Sequence, residues 1–314
     1  MRGFLGKHPE AIGIEIGTDG IRMAQLSKGD QKHQLQLLGA RMCDCPEQIQ
    51  SGTVQWQHWM VDTMKNLLTE HRFSGKIAVG GIPTSDTVLE TVRLPKLDQS
   101  KLDDFLFGRI RSQWFSDVAR DEVLIKHICP DSEHVVIMAA RREQINRHLA
   151  TFERAGLTIR SLCVWPESLV NCYIHFFGRR KTDKDAVVML IDIEPACTNV
   201  VICRYTDILL ARSIPILADT LNEEKSGQRL TLEVLSCRRE MMNLYRHIQI
   251  DRLVFLSGHC VDEQVYTQVA KQLAVQTQIG DCLMAVKSNA AKERESESDI
   301  TCVSWATAFG LSLS

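Results

Sequence analysis

AIGIEIGTDGIRMAQL, residues 11–26, is the stretch from which the fold of this chain can be worked out. Isoleucines alternate with other residues as far as Ile16, a Gly-Thr-Asp-Gly segment follows, and apolar residues resume at Ile21. This pattern predicts a strand, a tight turn and a second strand. Gly17 and Gly20 would permit positive φ angles and leave backbone N–H groups free to point at an anion such as phosphate. Taken alone, the pattern also fits an ordinary β-hairpin.

The same design returns in the second half of the chain, in VVMLIDIEPACTNVV, residues 187–201. Asp192 takes the position of Glu15, 177 residues later (192 − 15). An isoleucine, a turn with small polar residues and a second apolar run follow it, as in the first hairpin. A duplicated hairpin with a carboxylate inside the strand predicts two similar lobes that close on a metal–phosphate group.

Length and composition favour a globular protein of two domains. The chain has 314 residues, of which 44% are hydrophobic, and a formal net charge of −2. With this charge balance we expect no overall positive electrostatic potential that would attract nucleic acid or an anionic membrane. Eleven cysteines without any C-x-x-C pair indicate reduced thiols in a cytoplasm, and the close pair Cys43 and Cys45 has no second pair at zinc-ligand spacing. No apolar run reaches the ~18 residues of a membrane span, so we expect a soluble protein.

The order of periodic segments divides the chain into two lobes and an insertion. Lobe one is predicted over residues 1–180, with a module of order α, β, β, α, β inserted at 95–163. The charged segment GRRKTDKD, residues 178–185, is predicted to be a solvated linker. Lobe two is predicted over 186–314, with a small helical subdomain at about 220–250. Inserted modules more often carry partner contacts than chemistry.

Several motifs in this order resemble the PilM family, the actin-like cytoplasmic proteins of type IV pilus assembly, and its relatives in mannose-sensitive pilus and type II secretion systems. The resemblance covers nearly the whole chain, and no single motif carries it. The matching stretches are IGIEIGTDGIRMAQL (12–26), LPKL (94–97), AARRE (139–143), AGL (155–157), LIDIEPACT (190–198), LSGHC (256–260) and AFGLSL (308–313).

The resemblance implies an actin-like ATPase (ribonuclease H-like) α/β fold of two lobes around a cleft that binds ATP and magnesium. It also implies that the chain binds the N-terminal cytoplasmic tail of a PilN-like inner-membrane protein, in a groove between the inserted module and lobe one. Glu15 and Asp192 are then the candidates for holding magnesium through its water shell. The candidate nucleotide-binding residues are Gly17, Thr18, Asp19, Gly20, Arg22, Thr198 and Gly258.

Five departures from the family pattern affect the expected nucleotide site. Glu194 stands where the family has glycine, and Asp19 adds a second negative group at the phosphate loops. A like charge at about 4 Å costs roughly 4 kcal/mol at an effective dielectric constant of 20. Leu217-Ala218 replace a glycine pair, and His259 replaces a glycine, which removes backbone freedom where a nucleotide would approach. Arg22 replaces lysine as a phosphate contact, which changes its geometry.

Three hypotheses follow from these residues. The first is a cytoplasmic scaffold of a pilus or secretion assembly platform, with weak or lost ATP binding, held at the inner membrane through its PilN-like partner and other platform proteins. The second is the same scaffold with a working ATP switch. The third is a small-molecule kinase of the same superfold, against which stands the lack of a suitably placed carboxylate base. The first hypothesis describes a protein that is not an enzyme, or at most a very slow ATPase.

Overall fold

The computed structural model of the protein describes residues 9–28, 35–70, 73–96, 98–258, 261–288 and 303–314. Candidate residue His259 lies outside these ranges, as do Leu97 of the LPKL motif and Cys260 of the LSGHC motif. The described residues form three β-sheets with helices packed against them.

The strands and helices have the following bounds. The strands are β1 (Pro9–Ile16), β2 (Gly20–Lys28), β3 (Leu35–Asp44), β4 (Ile77–Ile82), β5 (Val88–Arg93), β6 (Val123–Ile128), β7 (His134–Arg141), β8 (Thr158–Val164), β9 (Val187–Ile193), β10 (Thr198–Arg204), β11 (Asp207–Ile214), β12 (Arg252–Phe255), β13 (Gln276–Ile279) and β14 (Lys287–Ser288). The helices are α1 (Val54–Glu70), α2 (Leu102–Gln113), α3 (Arg142–Arg154), α4 (Trp165–Phe176), α5 (Glu224–Leu244), α6 (Glu263–Leu273), α7 (Cys282–Ala285) and α8 (Ala306–Ser312).

Two sheets repeat one topology, as the duplicated hairpin predicts. The sheet of lobe one has the order β14-β3-β2-β1-β4-β8, and that of lobe two has the order β11-β10-β9-β12-β13. In each, three antiparallel strands are followed by two strands that run parallel to the first. The register places Glu15 opposite Arg22 in lobe one and Asp192 opposite Asn199 in lobe two. The two in-strand carboxylates therefore occupy equivalent positions, one residue before the last residue of β1 and of β9.

The inserted module has a different set of strands from the predicted one. Its three-stranded sheet has the order β5-β7-β6, and helix α2 packs on one face. β5 begins before the predicted boundary at residue 95, while β8 pairs with β4 in the sheet of lobe one. α3 likewise packs with lobe one, where Phe152 is fully buried beside Gly80. The strand periodicity of β5 and β8 was readable in the sequence, but the choice of partner strand depends on contacts distant in the chain.

The end of the described chain returns to lobe one. Helix α8 lies between β1 and α4, and all seven of its residues are buried. Gly310 is in backbone contact with α4, and a Cβ added there would lie 2.6 Å from the carbonyl carbon of Ser168 and closer still to its oxygen. On the other side, a Cβ on Gly13 of β1 would lie 2.5 Å from the backbone nitrogen of Ser312. The predicted assignment of residues up to 314 to lobe two therefore does not describe α8.

Ser312 ties α8 to the first two strands. Its hydroxyl donates to the Ala11 carbonyl at 2.7 Å and accepts the Leu26 N–H at 3.1 Å. Both contacts fall near irregularities in the strand register, between Pro9 and Ile12 in the β1–β2 pair and between Gln25 and Leu26 in the β2–β3 pair. The Ser312 hydroxyl thus provides hydrogen-bond partners for buried backbone groups that lie where the strand register is irregular.

Two further segments differ from their sequence predictions. The segment predicted as a helical subdomain at about 220–250 is mainly α5, which packs with α6 on the sheet of lobe two and shares its core. Within the predicted solvated linker, Asp183 is buried and pairs with Arg252 at 3.1 Å. That ion pair joins the linker to lobe two, so the linker is anchored at this residue. In the part of the chain that the structure describes, no helix combines the length and the apolar composition that a membrane crossing requires.

Candidate functional site

The turns of the two duplicated hairpins face each other across the cleft. The cavity between them is lined by Gly17, Thr18 and Asp19 from the β1–β2 turn and by Glu194, Ala196 and Cys197 from the β9–β10 turn. Glu15, Thr84, Ser85, Trp165 and Thr307 complete much of the wall. The cavity volume is about 50 Å³, whereas sites for small molecules commonly measure ~300–1,000 Å³.

Arg22 is held by carboxylates of its own hairpin. Its guanidinium donates to Glu15 Oε1 at 3.0 Å and, through its other terminal nitrogen, to a carboxylate oxygen of Asp19. Arg22 is 2% exposed and Glu15 is 6% exposed. Both terminal nitrogens of the guanidinium fork are therefore engaged within lobe one, and Nε has no partner among the described residues. An arginine placed in this way neutralises the cleft carboxylates.

Asp192 and Glu194 form the lobe-two side of the site. Asp192 is fully buried, and its Oδ1 accepts the Ser304 hydroxyl at 2.5 Å. Oε1 of Glu194 accepts Asn199 Nδ2 at 3.1 Å and the Thr307 hydroxyl at 3.5 Å. The residues just before and within α8 thus reach back across the cleft and position both carboxyl groups.

Burial raises the pKa values of three of these carboxyl groups. The pKa of Glu15 rises to about 8, because desolvation outweighs the opposing effect of Arg22. Burial raises the pKa of Asp192 to about 6, with the Ser304 hydrogen bond acting in the opposite direction. The pKa of Glu194 lies well above its usual range, first through burial and then through the nearby Asp192. A cluster of this kind retains protons near neutral pH, which limits the repulsion among its members.

The turn residues have roles that differ from those the glycine pattern suggested. Gly20 has no positive φ angle, but a Cβ there would lie 2.5 Å from the carbonyl oxygen of Cys43, so glycine is required for the close approach of β3. The Gly17 N–H donates to the Gly20 carbonyl at 2.9 Å. The side chain of Asp19 folds back over Gly17, where a Cβ would overlap its carboxylate. One backbone donor that a phosphate would need is thus already used inside the turn.

Two of the candidate residues lie away from the cavity. The Thr198 hydroxyl is buried and donates to the Ile216 carbonyl at 3.0 Å. Gly258, at a φ of 60°, packs against the Asp281 side chain, and its carbonyl accepts the Tyr266 hydroxyl at 2.8 Å. Both residues stabilise turns of lobe two. The structure therefore brings together Glu15, Gly17, Thr18 and Asp19 around the cavity, with Arg22 and Asp192 buried behind it.

Several residues of the site were not singled out from the sequence. Thr84 and Ser85 follow β4 after Pro83, and polar residues just beyond the carboxyl end of a parallel strand are a usable signal for a site. Trp165 begins α4 and walls the cavity. Ser304 and Thr307 carried no such signal, since they reach the site only because α8 folds back into lobe one.

The duplicated sheets around a cleft and the small inserted sheet define an actin-like ATPase fold. A solved PilM–PilN type IV pilus biogenesis complex superposes with a TM-score of 0.74 at 17% identity, covering 97% of this chain and 98% of that one. A Bacteroides thetaiotaomicron protein of actin-like ATPase fold and unknown function superposes with a TM-score of 0.51 at 13% identity, over 88% of this chain and 92% of that one. The cytoplasmic domain of EpsL, an inner-membrane component of the type II secretion system of Vibrio cholerae, gives 0.50 at 13% identity, over 83% and 94%. At these identities the similarity is one of fold.

The family model described as type IV pilus assembly protein PilM matches residues 13–224. The chain belongs to the PilM family of type IV pilus assembly proteins. A search of curated protein sequences gave no significant match.

Proposed function

We propose that this protein is a cytoplasmic scaffold of a type IV pilus assembly platform that binds the N-terminal tail of a PilN-like inner-membrane protein and has weak or no affinity for ATP. Its membrane association would then be indirect, through that partner and other platform proteins. The observation that carries the nucleotide part is the engagement of Arg22 by Glu15 and Asp19. A side chain expected to meet phosphate instead neutralises carboxylates of its own hairpin.

The residues of the cleft do not favour a triphosphate. Glu15 and Asp192 could hold magnesium only in their ionised forms, and burial raises their pKa values to about 8 and about 6. Among the described residues, no group of three or more potential ligands is placed to hold a metal ion. Asp19 and Glu194 add two carboxyl groups at the turns that phosphate would approach. Together with the small cavity, these groups favour a protein that has abandoned tight nucleotide binding.

A calorimetric titration with ATP and magnesium tests this proposal. For the natural protein we expect no binding tighter than millimolar. Removing one like charge at about 4 Å could recover up to ~4 kcal/mol, or about three decades of affinity. Burial raises the pKa of Glu194 well above its usual range, so its repulsion of phosphate at neutral pH is smaller than that of a full charge. We therefore expect Glu194→Gly to gain at least about tenfold in affinity for ATP, and not the full three decades.

The control for this titration is Glu133→Gly, the same substitution at an exposed residue of the turn between β6 and β7, which does not line the cavity. It should leave the affinity for ATP unchanged. Micromolar binding by the natural protein would overturn the proposal and favour the scaffold with an ATP switch, in which closure of the lobes alters the partner surface.

The partner part of the proposal concerns the junction between the inserted module and lobe one. β6 is an edge strand of the module sheet, and Lys126 on β6 pairs with Glu167 on α4 at 2.5 Å. The second carboxylate oxygen of Glu167 is buried without a described partner. An open strand edge beside an unsatisfied acceptor suits an extended peptide, which gains affinity from backbone hydrogen bonds.

Binding of a synthetic peptide with the N-terminal sequence of the PilN-like protein from the same organism should be measurable by fluorescence anisotropy. On binding, we expect slower hydrogen exchange in β6 and at the start of α4. A scrambled peptide of the same composition is the control. No binding, or protection confined to other segments, would contradict this placement.

A further inference from the structure

The turn Thr84–Asp86 connects the wall of the cleft to the inserted module. Thr84 and Ser85 line the cleft cavity. The third residue of the turn, Asp86, lies two positions before β5, which is the first strand of the module. A displacement of this turn would therefore move the cleft wall and the start of the module together.

Asp86 also binds the helix that follows the module. Its Oδ1 accepts the Gln144 side-chain amide at 3.0 Å, and its Oδ2 lies 2.7 Å from His148 Nε2. His148 is buried and meets the Trp56 ring of α1 edge-on. Both Asp86 partners lie on α3, which begins where the chain leaves β7. One carboxylate thus holds together the two points at which the chain passes between lobe one and the module, and we name these contacts the module base.

The other end of the β5–β7 pair contacts lobe two. Arg93 lies opposite His134 at the end of the pair that is remote from the module base. The His134 ring packs on the ring of Tyr245, with centroids 4.2 Å apart, and Arg93 donates to the Leu244 carbonyl at 3.4 Å. A strand of six residues spans about 17 Å between its end residues, at ~3.3 Å per step. The strand pair therefore extends from the cleft turn of lobe one to the end of α5.

The module sheet is covered on both faces. Val135 and Ile137 of β7 pack with α2 in the core of the module. Val136 and Met138 point to the opposite face and belong to the same apolar cluster as Ile208 of β11 in lobe two. A three-stranded sheet that is packed on both faces is a stiff element, because close-packed side chains leave it little room to bend.

We propose that the inserted module is a strut between the two lobes, which restrains their relative movement and keeps the cleft closed. Asp86 at the module base and His134 at the far end are its positioning residues. Opening of the cleft would require the module either to pivot at its base or to slide on lobe two, and the contacts at the two ends oppose these movements. The proposal depends neither on nucleotide in the cleft nor on a peptide at β6, so it stands independently of the function proposed above.

The rate at which the Cys197 thiol reacts with N-ethylmaleimide measures opening of the cleft, with the modified peptide quantified by mass spectrometry. Cys197 lines the cavity from lobe two, and burial raises its pKa to about 12, so we expect slow reaction in the closed cleft. Asp86→Ala and His134→Ala should each accelerate the reaction at least about threefold. The double variant should exceed the faster single variant by less than about twofold, because a strut released at one end no longer restrains the other.

Two other cysteines serve as internal references in the same digest. Cys129 is exposed, so its reaction verifies that the reagent concentration is equal in all samples. Cys237 is buried in the core of lobe two, and its reaction reports global unfolding. The rate at Cys197 is therefore expressed relative to the rate at Cys237, which separates movement of the lobes from a general loss of stability.

The matched control variant is Glu143→Ala, which breaks an exposed ion pair with Arg147 in the same helix as the module base. It should leave the rate at Cys197 unchanged. Rates in Asp86→Ala and His134→Ala equal to that of the natural protein would overturn the proposal. So would an increase at Cys197 that is matched by an equal increase at Cys237, since the two residues would then act on stability alone.

Discussion

Gly310→Ala is expected to destabilise the protein by at least about 3 kcal/mol, because α8 has no room for a methyl group at this position. The added Cβ would lie 2.6 Å from the Ser168 carbonyl carbon, and the obstructing atoms belong to the backbone of α4. A flexible side chain could rotate away, but a helix backbone can yield only by moving as a unit. Since α8 is buried on all sides, that movement would disturb β1 as well.

Thermal or chemical unfolding of Gly310→Ala measures this effect, with Gly108→Ala as the matched control. Gly108 lies in the interior of α2, and a Cβ there would meet no atom within 4 Å. Alanine is favoured over glycine in a helix by ~0.5–1 kcal/mol, so the control should be slightly more stable than the natural protein. Equal melting temperatures for Gly310→Ala and the natural protein would show that α8 packs less tightly than the structure indicates.

Arg22→Met is expected to have the second large effect, a loss of roughly 3–5 kcal/mol at pH 8. The substitution keeps an unbranched side chain of similar length but removes the cation that Glu15 and Asp19 share. Glu15 is then left buried without its counter-charge. A buried carboxylate without a partner is far more costly than a paired one.

The loss in Arg22→Met should shrink at acid pH. Burial raises the folded-state pKa values of Glu15, to about 8, and of Asp192, to about 6, above those of the unfolded chain. A carboxyl group with a raised pKa contributes its stability below the unfolded pKa and loses it as the pH rises through the folded one. Removal of Arg22 raises these pKa values further, and the two proteins differ only where the natural one ionises, so the deficit should grow from about pH 6 and continue to grow above pH 8.

Denaturant unfolding of Arg22→Met at several pH values tests this prediction. The double variant Arg22→Met, Glu15→Gln should recover part of the stability at pH 8, because it removes the uncompensated carboxylate. Arg229→Met, at an exposed position of α5, serves as the control and should change stability by less than about 0.5 kcal/mol. A deficit that does not depend on pH would mean that packing, and not charge, is what Arg22 supplies.

Much of the fold could be predicted because the deciding signals are local. The alternation in residues 11–26 and 187–201 specifies both hairpins, and the in-strand carboxylates Glu15 and Asp192 fall at equivalent positions of two sheets with one topology. The resemblance to PilM proteins added the actin-like fold, which the structural neighbours show. Residues Glu15, Gly17, Thr18 and Asp19 lie at the cavity because they belong to the hairpin itself.

The remaining parts depended on contacts that a linear pattern does not contain. Thr198 occupies the position in its turn that the motif predicts, but its hydroxyl donates to the Ile216 carbonyl. A sequence motif does not specify the side-chain rotamer, so this contact could not be predicted. Gly20 was read as a source of positive φ, whereas it is required for the approach of β3. Ser304 and Thr307 come to the site from a segment more than a hundred residues away from the carboxyl groups they contact. Such pairings are decided by packing of the whole chain.

Helix α8 also has a consequence for how the chain folds as it is synthesised. The Leu26 N–H and the Ser312 hydroxyl that accepts it are separated by 286 residues. At a synthesis rate of about 5–20 residues per second, Ser312 is synthesised roughly 15–60 seconds after Leu26 of β2. During that interval the sheet of lobe one lacks the helix that packs against β1, and its buried face stays uncovered until α8 is synthesised.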